Sequence, residues 1–188
     1  MKKHHITTTL EVFENTSELT GPIQDLMRKA QQARDKAYAP YSRFNVGAAI
    51  LLDNGEIVTG NNQENAAFPS GLCAERVAVF YAGAQYPGIP IRALALTVHS
   101  ESKEIVTPVP PCGACRQSLV EYEVTQKSPI AIYFMGASGK VAWELRPPMQ
   151  VVIQHRVAER ESSPREGGQS QGHRVRGSTR TKKRWVFC

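Results

Sequence analysis

The run Ala93-Leu94-Ala95-Leu96-Thr97-Val98 constrains the fold more than any other stretch of the chain. It is apolar at successive positions, so both sides of its pleat need cover, and strands of that kind lie inside a sheet with helices above and below. Pro87-Gly88-Ile89-Pro90 breaks the chain just before it, and a long polar loop over residues 100 to 111 follows. One such strand already argues for layers of helix on both faces of a sheet.

The remaining segments supply those layers. Ile23, Leu26, Met27 and Ala30 fall at i, i+3, i+4 and i+7 and predict a helix from Pro22, a favoured first-turn residue, to about Ala37, stopped by Tyr38-Ala39-Pro40-Tyr41. The segment FNVGAAILL (44–52), the turn Asp53-Asn54-Gly55 and the restart at Ile57-Val58 read as an antiparallel hairpin. A loop over residues 61 to 70 leads to a second helix over residues 71 to 84, with Val77, Phe80, Tyr81 and Ala84 expected to face the core. A shorter helix is expected to open at Cys112, with Cys115, Leu119 and Tyr122 in register. Strands over Ile130 to Met135 and Val141 to Leu145, joined through Gly136-Ala137-Ser138-Gly139, close the pattern. This order predicts an α/β fold, a three-layer α-β-α sandwich with a mixed sheet of about five strands.

Residues 1–20 are polar and threonine-rich, with weak alternation at Leu10, Val12 and Phe13, and read as an N-terminal extension holding at most a short edge strand. Residues 21–149 form the predicted domain. Residues 150–188 are rich in Arg, Ser, Gly, Gln and Glu without any period and are expected to be a disordered tail.

Two helix openings carry the chemistry. Pro111-Cys112-Gly113-Ala114-Cys115 sets two thiols on one turn, and Leu72-Cys73-Ala74-Glu75-Arg76 sets a third beside a carboxylate and a guanidinium. Both segments follow strands, and open α/β sheets bring adjacent helix N-termini over a common crevice. Helix N-termini favour thiolates, so Cys73, Cys112 and Cys115 together suit a zinc ion with one position left for water, whose pKa the metal lowers towards ~7. Three thiolates leave a net negative charge on the site, which Arg76 is placed to offset, and Glu75 is placed to carry a proton. Other assignments stay open on these residues alone. Cys112 and Cys115 can form a redox pair, His99 can close a structural zinc site, or Cys73 can be a plain buried thiol beside an exposed Glu75-Arg76 pair.

The formal net charge of +6 raises a nucleic-acid partner, and its location tempers that. Residues 150–188 hold nine Lys and Arg against three Asp and Glu, whereas residues 1–149 hold fourteen of each. The expected domain is therefore neutral overall, and nucleic acid is not its expected partner. No apolar run is long enough to span a bilayer, and Met1-Lys2-Lys3 is followed by His4, His5 and threonines, so the expectation is a cytoplasmic protein without a membrane partner.

The segments YAPYSRFNVGAAILL (38–52), GNNQENAAFPSGLCAERVA (60–78) and PPCGACRQ (110–117) resemble the zinc-dependent cytidine deaminases, specifically the small homotetrameric type acting on free nucleosides. The resemblance spans roughly residues 20 to 145. It implies Zn2+ on Cys73, Cys112 and Cys115, Arg76 hydrogen-bonded to the sulfurs, and Glu75 as the proton shuttle in hydrolytic deamination of cytidine or deoxycytidine, a step of pyrimidine salvage. It further implies Asn62 and Glu64 on the ribose hydroxyls, Phe44 lining the base pocket, the Ala74 backbone N–H contacting the base, and Phe68 near the sugar across a subunit boundary. At the end of the last strand, where relatives go on to a short helix opened by Leu-Leu-Pro, this chain reads ELRPPMQVVIQHRVAERESSPREGG from Glu144. Two alternatives accompany the resemblance: an RNA-binding or RNA-editing deaminase using GHRVRGSTRTKKRW (172–185), and a deaminase of a nucleoside antibiotic.

Overall fold

A computed structural model describes residues 9–145. The basic tail expected over residues 150–188 lies outside the described residues, as do the first eight. All described elements belong to the first of the two units into which the chain divides, Met1–Met149. In chain order they are β1 (Glu11–Phe13), α1 (Gly21–Arg34), β2 (Phe44–Leu52), β3 (Ile57–Asn61), α2 (Ala74–Gln85), β4 (Ile91–Ser100), α3 (Gly113–Gln126), β5 (Ala131–Met135) and β6 (Val141–Leu145), with 3-10 turns at Thr16–Glu18 and Phe68–Ser70.

The sheet runs β1-β6-β5-β4-β2-β3. Among the described residues β4 and β5 form its parallel pair, joined by α3 as crossover, and the other neighbours are antiparallel. The Asp53-Asn54-Gly55 turn closes the β2–β3 hairpin with Gly55 at φ 86°, a conformation glycine adopts without steric cost.

The layers follow from the alternation along β4. Ala93 and Ala95 pack with Leu26, Met27 and Ala30 of α1, while Leu94 and Leu96 pack with Ala78, Val79 and Ala82 of α2 and Leu119 of α3. One helix covers one face and two cover the other, which is the expected α-β-α sandwich.

Several expectations need correction. The sheet has six strands, because residues 11–13 pair with β6 in register Glu11 with Trp143, and Leu19 is buried in the core on the α1 face. Helix α1 ends at Arg34, and the two amides that follow Asp35 bond to carbonyls three residues back, the tighter geometry of a terminating turn. Helix α3 is fourteen residues long and matches α1 rather than being shorter.

The largest correction concerns α2. Phe80 and Tyr81 are 45% and 54% exposed, and the face turned to the sheet is instead Ala74, Glu75, Ala78, Val79 and Ala82. The cause is close packing. A methyl group built on Gly60 of β3 would lie 2.6 Å from both the Ala74 carbonyl oxygen and the Ala78 nitrogen, so helix and strand meet backbone to backbone and only small residues fit between them.

Candidate metal centre

Helices α2 and α3 both begin at the same end of the sheet, and each is preceded by a cysteine in extended conformation, Cys73 at φ −70° and Cys112 at φ −68°. Because these two cysteines immediately precede the helices and their sulfurs meet, the N-terminal, partly positive ends of two helix dipoles lie beside one spot. Cys115, on the first turn of α3, joins them there.

The three sulfurs lie within 4.8 Å of one another. Cys73 Sγ is 3.9 Å from Cys112 Sγ, which is 3.5 Å from Cys115 Sγ. Thiolates at ~2.3 Å from a tetrahedral zinc stand ~3.8 Å apart, so the spacing suits that ion and is too long for a disulfide. His99 is not among the groups gathered here and is exposed on β4, so it does not complete a four-ligand structural site.

The electrostatics support metal binding. Hydrogen bonding from the Cys115 thiol, then from Arg76 and Cys112, brings the Cys73 thiol down to about 5 against the cost of burial. Cys115 is pushed up, chiefly as the donor to that thiolate. Cys73 is thus a ready first ligand at neutral pH. Arg76 Nη2 sits 3.9 Å from Cys73 Sγ, at the long end of a contact to sulfur, and its Nε is buried with no hydrogen-bond partner among the described residues.

Glu75 is 3% exposed. Burial raises its pKa, its own backbone N–H opposes that, and the negative Cys73 raises it further. A carboxyl held closer to neutrality beside a metal site can both accept and return a proton.

The segment after β3 is tied to the same loop. Gln63 and Leu72 exchange both backbone hydrogen bonds at 2.9 Å, which sets Asn62 and Glu64 beside the strand of chain that delivers Cys73. Asn62 is buried, its Oδ1 accepting from the Val46 N–H at 2.7 Å and its Nδ2 donating to the Phe44 carbonyl at 2.9 Å. Its amide therefore braces the start of β2, where Phe44 stands half-buried. Glu64 Oε2 accepts the Tyr41 and Ser42 N–H groups at 2.9 and 3.2 Å, and its pKa is lowered, first by the Ser42 hydroxyl and then by those amides. Ala74 is fully buried as the first residue of α2, where helix N–H groups have no partner within the helix. Phe68 is 90% exposed and is not brought to the cluster within one chain.

Three residues that the sequence reading passed over shape the centre. Gly60 permits the approach of α2, a role that an isolated strand glycine signals in general terms. Arg116 and Glu144 pair at 3.3 Å, and nothing local announces a partner 28 positions away.

Three protein ligands leave a tetrahedral zinc one position short, so fold and centre together define a zinc enzyme with an open coordination position. A family profile described as the cytidine and deoxycytidylate deaminase zinc-binding region matches residues 21–130. The chain belongs to this deaminase family, and it is a hydrolytic zinc enzyme. It is 47% identical over 98 residues to a cytidine deaminase of Halalkalibacterium halodurans, covering 52% of this chain and 70% of that protein. Over 97 residues it is 43% identical to a cytidine deaminase of Mycobacterium tuberculosis, covering 52% and 68%. The crystal structure of a cytidine deaminase from Burkholderia pseudomallei superposes with a TM-score of 0.57 at 37% identity, covering 68% of this chain and 93% of that one.

Proposed function

We propose that the protein deaminates cytidine or deoxycytidine hydrolytically, giving uridine or deoxyuridine and ammonia. The observation that carries this reading is the convergence of Cys73, Cys112 and Cys115 at two helix N-termini with the buried Glu75 beside them. Zinc bound by the three thiolates supplies a hydrolytic nucleophile at neutral pH by lowering the pKa of water in its open position.

Glu75 accepts a proton from the attacking water and delivers it to ring nitrogen 3, while the water oxygen bonds to carbon 4. The proton of the hydroxyl thus formed on carbon 4 then passes through the same carboxylate to the amino nitrogen, the carbon–nitrogen bond breaks to release ammonia, and the oxygen stays on carbon 4 as the product carbonyl. Arg76 offsets the charge of three thiolates and so preserves the metal's Lewis acidity. The backbone N–H of Ala74 contacts the base, Phe44 lines its pocket, and Asn62 and Glu64 meet the ribose hydroxyls.

The proposed assembly is a homotetramer in which Phe68 reaches towards the sugar bound by a neighbouring subunit. Its near-complete exposure supports that placement. The proposed setting is pyrimidine salvage in the cytoplasm. Among the described residues no helix is long and apolar enough to cross a membrane.

The test compares cytidine, deoxycytidine, free cytosine and single-stranded RNA by the ultraviolet change on deamination, using the full chain. Turnover of the nucleosides alone is expected. Turnover of RNA in preference to cytidine would overturn the free-nucleoside reading, and zinc-loaded protein inert towards all four would overturn the activity.

A further inference from the structure

We infer that Arg116, held by Glu144, is a positioning residue that fixes the two-cysteine turn of α3 for zinc. Its side chain folds back across the start of the helix. Nε donates to the Pro111 carbonyl at 3.1 Å, while Nη1 lies 3.3 and 3.4 Å from the two Glu144 carboxylate oxygens. The Arg116 backbone N–H meanwhile donates to the Cys112 carbonyl at 2.9 Å. One residue therefore holds the chain on both sides of the Cys112 α-carbon, and it directly follows Cys115.

The device is anchored in the sheet. Glu144 lies on β6, paired with Ile132 of β5, and is 3% exposed. Its neighbour Ala142, on the same side of the strand, belongs to the core beneath α2 and α3. A buried carboxylate needs a charged partner, and Arg116 supplies it. The pairing also gives the guanidinium a partner away from the sulfurs. The two arginines thus divide the work, Arg76 contacting Cys73 Sγ and Arg116 holding backbone. A lysine does not reproduce the second role, because the rigid planar fork fixes the directions of its bonds to a carbonyl and a carboxylate, whereas an ammonium is a compact charge on a flexible stem.

This inference rests on the zinc centre itself. The test measures the rate at which zinc passes from folded protein to a chromophoric chelator, and the thiolate-to-cobalt charge-transfer spectrum of the cobalt-substituted protein. Arg116→Gln is expected to release zinc ~10–100-fold faster and to shift the cobalt band, since outer contacts to metal ligands carry effects of that size. Arg116→Lys should restore little of either. The double variant Arg116→Gln/Glu144→Gln removes the unpaired buried charge, so it should regain thermal stability while zinc release stays fast.

Release rate and cobalt spectrum unchanged in either folded glutamine variant would overturn the inference, as would slow release in the double variant. Should Arg116→Gln fail to fold, the double variant decides alone. Wild-type protein that binds no zinc would instead overturn the zinc centre, a distinct outcome.

Discussion

Glu75 and Arg76 are adjacent in sequence and separable in experiment. Glu75→Gln keeps the side chain's shape and loses its proton chemistry, so the variant should retain one zinc per chain by metal analysis while kcat falls ~10²–10⁴-fold, the usual worth of a general acid–base group. Lost zinc with full turnover would make Glu75 a ligand rather than a shuttle. Arg76→Gln acts on the metal instead. Cys73 sits at about 5 partly through Arg76, so removing the guanidinium raises that thiol and moves zinc uptake, which needs the thiolate, to higher pH. Metal uptake followed across pH checks this, and an unmoved midpoint would deny Arg76 its role. At this scale the sequence spoke clearly where chemistry is local. Cys73 and Cys112 each stand immediately before a helix, and Cys115 lies within one turn of Cys112. It was silent on Arg116 and Glu144, whose meeting depends on β6 returning beneath α3.

Glycine packing ties the elements to the site, and the two faces of the sheet make an internal comparison. A methyl group on Gly47 would fall 2.1 Å from the Ala30 carbonyl oxygen of α1, far from the sulfurs in the layer order, whereas one on Gly60 would strike the first turn of α2. Both Gly47→Ala and Gly60→Ala should cost ~1–3 kcal/mol by overpacking, or more where backbone cannot yield, read from denaturant midpoints. Zinc affinity should fall only in Gly60→Ala, because that substitution displaces the turn carrying Cys73, Ala74 and Glu75. Equal loss of affinity in both would mean that the centre senses general stability. The same contact explains why the buried face of α2 was misread. A helix whose large residues, Phe80 and Tyr81, face outward and whose alanines face the sheet defeats any rule that turns the bulkiest stripe inward. Strand β4 was legible because burial on both sides leaves no polar alternation to misjudge.

The outward stripe on α2 is the surface on which the proposed assembly is expected to form. Phe80, Tyr81 and the partly covered Val77 lie one helical turn apart or less, and burying a single aromatic of this kind is worth about 1.5–3 kcal/mol, enough for a helix face to favour a second copy of the chain. In the proposed homotetramer that stripe would be covered and the exposed Phe68 would have a neighbour's site to complete. Replacing both aromatics, Phe80→Ser with Tyr81→Ser, removes the apolar contact while leaving the buried alanine face of α2 untouched. The variant should keep its far-ultraviolet circular dichroism and its zinc, sediment as a smaller species than the parent, and lose turnover mainly through a raised KM, since each site then lacks the aromatic from its neighbour. Phe68→Ala should reproduce the raised KM without changing the sedimenting mass. A double variant that stays tetrameric would place the interface elsewhere, and a monomer with parental KM would show that each chain completes its own pocket.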